Sequence, residues 1–96
     1  MELTIFGSFH AREEKEEAVA SELRDAVTRT STEPGCLGIE VYRSVRDPRV
    51  FRLHARWVDE AAFDKHVERA ETNQFIERVQ GLIDHEFGVT RTRLLR

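Results

Sequence analysis

The sequence holds one cysteine, one tryptophan, one tyrosine and two prolines among 96 residues. A lone cysteine, Cys36, excludes an internal disulfide and suits a reducing compartment. No run of about 18 apolar residues exists, so no transmembrane helix and no membrane partner are expected. The opening Met-Glu-Leu-Thr-Ile-Phe-Gly lacks a basic stretch followed by a hydrophobic one. No signal peptide is read there, and a cytoplasmic location is expected. Basic charge is not in excess: 15 Lys and Arg face 18 Asp and Glu, for a net charge of -3. That balance argues against a nucleic-acid partner. The motifs G-x-S-x-G, P-loop and G-x-G-x-x-G are absent, which leaves serine hydrolase, NTPase and dinucleotide readings without support. The four histidines show no H-x-H or H-x-x-x-H spacing, and there is no C-x-x-C. No metal site is expected from spacing.

What is present is a chain with 40% apolar and 34% charged residues, enough for one modest core in one domain over residues 1–96. So small a chain buries a limited fraction of its surface, which makes oligomerisation a reasonable expectation. Leu3 to Phe9 alternates as a strand. From about Arg12 to Thr30, Val19, Leu23, Ala26, Val27 and Thr30 form one helical stripe. Glu13, Glu14, Glu16 and Glu17 crowd its first turns, where the helix dipole favours negative charge. Pro34-Gly35 signals a turn. Leu37 to Ser44 and Val50 to Trp57 read as a hairpin around Asp47-Pro48. Asp59 is a candidate N-cap for a second helix. That helix is expected to break around Ala70 to Asn73 before Phe75, Ile76, Val79, Leu82 and Ile83 resume the stripe. Phe87 to Leu95 is the fourth strand.

The order β-α-β-β-α-β is the ferredoxin-like, α+β arrangement: a four-stranded antiparallel sheet with the helices on one face. Alternation places Leu3, Ile5, Phe9, Leu37, Ile39, Val41, Phe51, Leu53, Ala55 and Trp57 beneath the helices. Thr4, Phe6, Ser8, Glu40, Tyr42, Arg52, His54, Arg56, Thr90 and Thr92 fall on the other face. Two aromatics and opposite charges on a face without cover suggest a second copy of the chain packed there, with Glu40 pairing Arg52 or Arg56. The bland alternative is a solvated face.

Several pieces in order carry a resemblance: Glu33-Pro34-Gly35-Cys36-Leu37, Phe51-Arg52-Leu53, Trp57, Asp59-Glu60-Ala61, His66 and Phe75. Together they resemble the antibiotic biosynthesis monooxygenase family over roughly Glu33 to Phe75. The resemblance implies a dimeric α/β barrel, in which two ferredoxin-like sheets pack face to face as a homodimer. It also implies cofactor-independent monooxygenation of a quinol or polyphenolic small molecule. The third strand of that family often carries a Glu two residues before the Trp, where this chain has Ala55. The family's haem-degrading branch uses an Asn, a Trp and a ligating His, where this chain has approximately Gly7, His66 and Ile76. Haem is therefore not expected, and no cofactor is assigned.

Against that background His66 and Trp57 are the candidate catalytic residues. An unperturbed imidazole titrates near 6.5, so His66 could take a phenolic proton at neutral pH; it could also merely hydrogen-bond the sheet end. Trp57 could stack on a flat ligand while its N–H fixes an oxygen, or it could be plain core. Phe9, Ile39, Phe51, Leu53, Phe63 and Phe75 are the candidate substrate-binding wall. The third strand (Val50-Phe51-Arg52-Leu53-His54) lacks the Gly-aromatic run of RNA-binding sheets. Cys36 has no basic neighbour to activate it. His10 and His85 lie at element ends and are expected to be exposed. Ala55 favours a second reading, a non-catalytic dimeric module that binds a small aromatic ligand.

Overall fold

A computed structural model describes all residues, Met1–Arg96. The elements run β1 (Leu3–His10), α1 (Glu16–Thr30), β2 (Cys36–Arg43), β3 (Val50–Trp57), α2 (Glu60–Glu68), α3 (Ala70–Gln80) and β4 (Gly88–Thr92). The strands form one antiparallel sheet in the order β2-β3-β1-β4. This is the expected ferredoxin-like α+β fold. Within one chain the sheet is open rather than a closed barrel.

Alternation sorts the faces largely as expected. Leu3, Ile5, Phe9, Phe51, Ala55 and Trp57 are buried, while Phe6 and Tyr42 stand exposed on the uncovered side. Leu37 departs from the pattern. A β-bulge between Cys36 and Gly38 leaves it without a strand partner, so Cys36 faces Trp57 and Leu37 is exposed. The charge pairing differs as well. Glu40 bonds His54 at 2.9 Å, whereas Arg52 reaches Ser8 and Arg56 reaches Glu2.

Three boundaries differ for local reasons. Helix α1 starts at Glu16, not Arg12, because the preceding backbone is engaged elsewhere. Ala11 N–H donates to Arg49 O, Arg12 N–H donates to Leu82 O, and Glu14 takes a positive φ of 68°. Strand β4 ends at Thr92, which pairs with Thr4; β1 begins at Leu3 and offers little beyond. Leu94 and Leu95 are consequently exposed. The helix break falls at Arg69, whose extended backbone (ψ 143°) caps both α2 and α3. Asp59 caps α2 as expected, accepting from Ala62 N–H at 2.8 Å.

The buried apolar side chains divide into two clusters. One holds Phe9, Val19, Leu23, Phe75, Val79 and Ile83 among others. The other holds Leu3, Ile5, Ala55, Trp57 and Phe63. What lies between them is the candidate site.

Candidate functional site

A cavity of about 350 Å³ separates the sheet from the helices and is lined by members of both clusters. That size falls within the usual range for small-molecule pockets. Its floor comes from Ile5 and Phe9 of β1, Leu53 of β3 and Val89 of β4. Phe63, Phe75 and Phe87 add aromatic walls. Phe87 stacks on Phe9 with ring centroids 5.5 Å apart and planes 18° apart. Arg91 lies over the Phe63 ring at 4.9 Å and is held at 2.7 Å by both Asp64 and Glu60. These two carboxylates, Asp64 foremost, push its guanidinium further toward the charged form.

One end of the cavity is polar. His66, on α2, hydrogen-bonds through Nδ1 to Glu33 Oε1 at 2.9 Å. A carboxylate only accepts, so Nδ1 carries the hydrogen, and in the neutral ring Nε2 keeps its lone pair. No protein group hydrogen-bonds Nε2. Glu33 also receives Arg69 Nε at 3.2 Å, and Thr72 Oγ1 lies 3.5 Å from His66 Nδ1. The pair is well shielded: the side chains of His66 and Glu33 are 16% and 10% exposed. Both line the cavity.

Local structure explains how Glu33 arrives there. The turn after α1 closes through Cys36 N–H to Glu33 O, and Val58 N–H ties Gly35 O to the end of β3. Gly35 has φ +86°, and a Cβ there would stand 2.6 Å from Ala62 Cβ of α2. Only glycine lets the turn lie flat against the helix that carries His66. The break at Arg69 then turns α3, bringing Thr72 beside the pair and Phe75 into the wall.

Of the residues singled out from sequence, His66, Phe9, Leu53, Phe63 and Phe75 line the cavity, whereas Trp57, Ile39 and Phe51 do not. Trp57 is 1% exposed and stands behind the wall, with ring centroids 5.0 Å from His66 and 5.7 Å from Phe63. Its indole N–H is buried without an acceptor. Ala55, two residues earlier on the same face, offers none. Phe51 instead packs in the larger cluster, under the Arg43 guanidinium at 4.9 Å. Burial pushes the Cys36 thiol up from its usual value, which disfavours the reactive thiolate.

Sequence reasoning quoted Glu33 within a motif but assigned it no role; its pairing with His66 spans 33 positions and arises only in the fold. The second omission is a cluster at the other end of β1. His10 Nδ1 and His85 Nδ1 both bond Asp84 Oδ1. His10 is accordingly only 28% exposed in its side chain, unlike His85 at 73%.

Comparison with known proteins matches residues 3–90 to the antibiotic biosynthesis monooxygenase family. A Bacillus subtilis (strain 168) protein named "Putative monooxygenase YcnE" is 30% identical over 81 residues, covering 84% of this chain and 85% of its own length. Among solved structures, Rv0793 from Mycobacterium tuberculosis superposes with a TM-score of 0.92 at 22% identity, covering 100% of this chain and 97% of that one. SO0527 from Shewanella oneidensis gives 0.88 at 27% identity over 95% of this chain and 88% of its own.

Proposed function

Because this chain belongs to the antibiotic biosynthesis monooxygenase family, we propose that it is a cofactor-independent monooxygenase acting on a quinol or polyphenolic small molecule, with His66 as the base. The observation that carries this reading is the shielded Glu33–His66 pair at the polar end of a cavity walled by aromatic rings. Titratable groups held in such a cleft are functional candidates on physical grounds.

The chemistry follows from the arrangement. A flat ring enters between Phe9, Phe63, Phe75 and Phe87 with its hydroxyl toward His66. Nε2 takes the phenolic proton, and Glu33 steadies the imidazolium that forms, as a carboxylate does in a triad. The anion reduces dioxygen, and a carbon–oxygen bond forms at a ring carbon bearing hydrogen. Loss of water from the resulting hydroperoxide leaves a quinone. The net change is ArH(OH) plus O₂ to quinone plus H₂O, with all electrons supplied by the substrate. Apolar walls keep water from the reacting pair. Trp57 acts as a positioning residue, packing the His66 ring from behind.

The test is oxygen uptake by metal-stripped protein with a panel of quinols and naphthols. Uptake above autoxidation that falls by about 10²-fold or more in His66→Ala supports the reading. Full activity in that variant removes His66 as the base. Absence of uptake across the panel favours the second reading, a non-catalytic module binding a small aromatic, which Ala55 supports.

The same proposal has two chains packed through the open sheet face. Phe6 and Tyr42, 51% and 55% exposed there, support it, together with the Glu40–His54 pair between them. Phe6→Asp or Tyr42→Asp should halve the sedimentation mass; an unchanged mass contradicts the packing.

A further inference from the structure

We propose that His10, Asp84 and His85 form a site for one divalent transition-metal cation of the zinc type, at the rim of the sheet away from His66. One ligand atom from each residue lies within 4.8 Å of the others. His10 ends β1, whereas Asp84 and His85 belong to the connection between α3 and β4. Register shows the separation: His10 pairs with Val50, and Trp57, which packs on His66, pairs with Leu3 at the other end of the strand.

The two segments are already fastened together. Asp84 N–H donates to His10 O at 3.1 Å, and Ala11 bridges Ile83. Arg49 donates from Nε to Ala11 O at 2.9 Å and from Nη2 to Asp84 Oδ2 at 2.8 Å. Asp84 is thereby oriented through one oxygen while the other faces both imidazoles. An orienting hydrogen bond on a ligating carboxylate is what metal sites use to preset their geometry. Asp47 Oδ2, 4.0 Å from His10 Nε2, adds negative charge that offsets Arg49.

Two imidazoles and one carboxylate are a borderline donor set suited to zinc and its neighbours, not to magnesium or calcium. Ligation would replace the two N–H to carboxylate bonds with bonds from Nδ1 and Oδ1 to the ion. Exposure of His85 leaves room for water to complete the shell. The consequence reaches the cavity, because Phe87, two residues beyond His85, stacks on Phe9 in its wall. An ion at the clasp would hold that wall in place.

Zinc titration into the metal-free chain by calorimetry at pH 7.5 tests this. The expected result is saturable binding of one ion per chain, with a rise in melting temperature. His10→Gln and His85→Ala should each abolish that binding. His54→Ala, which removes the Glu40-paired histidine on the open face, should leave it intact. His85 is exposed, so its variant keeps the fold. No saturable binding by the native chain, or undiminished binding in the His85 and His10 variants, overturns the proposal.

Discussion

All four histidines bond a carboxylate through Nδ1, yet two of the resulting clusters differ in every respect that decides chemistry. At the Glu33–His66 pair one imidazole meets one carboxylate, both are shielded, and both residues line the aromatic-walled cavity. At the His10–Asp84–His85 cluster two imidazoles converge on one carboxylate oxygen in partial contact with solvent. The first arrangement gives an oriented base beside a place for substrate. The second gives converging ligands beside smaller, more open clefts lined mostly by polar residues. Residue type alone does not separate them; burial and the count of partners per carboxylate do.

Substitutions can break or sharpen this contrast, beginning with the largest effect. Gly35→Ala should cost about 2–4 kcal/mol, combining a left-handed backbone with overpacking against Ala62. Thermal unfolding reads the loss as a lower melting temperature. Glu33→Gln keeps the shape but removes the charge that steadies the imidazolium. It should lower kcat with little change in KM, because the substrate ring is held by other residues.

Asp84 gives a pH signature to the other cluster. The hydrogen bond from His10, foremost, lowers its carboxyl from 3.8 to about 2. A depressed folded-state value contributes stability above the unfolded value and loses it as pH falls through the folded one. The melting-temperature gap between the native chain and Asp84→Asn should hold from about pH 6 to pH 4 and shrink toward pH 2. A gap that persists at pH 2 would mean that the carboxylate charge is not what stabilises the cluster. The smallest effect belongs to Trp57→Phe. Lost packing is offset by removal of an orphaned N–H, so stability should change by no more than about 1 kcal/mol in chemical denaturation.

Much of this was legible in the sequence because it depends on local pattern. Alternation named the two sheet faces, and Asp59 announced α2. The family motif pointed to His66. What escaped depends on contacts between distant segments. The Cys36–Gly38 bulge moved Leu37 outward; Gly38 inside the strand is the one local signal for it, and alternation alone does not register it. Trp57 reads from the sequence as a catalytic residue that stacks on the ligand, but Phe63 and His66 pack against it from α2 and it does not line the cavity. Glu33 and the Asp84 cluster needed the fold to bring positions 33 and 66, or 10 and 84, together. The α1 start was misplaced because helix pattern does not register that Ala11 and Arg12 are already bonded to Arg49 and Leu82.

The central claim is that His66 holds its proton on Nδ1 and a free lone pair on Nε2. Long-range ¹H–¹⁵N correlation NMR of the imidazoles at pH 7.5 reads it directly. The account predicts that His66 shows a protonated Nδ1 and an unprotonated Nε2 in the native chain, and that Glu33→Gln weakens this preference. A His66 protonated on Nε2 in the native chain would contradict it, because the nitrogen not bonded to Glu33 could then accept no proton.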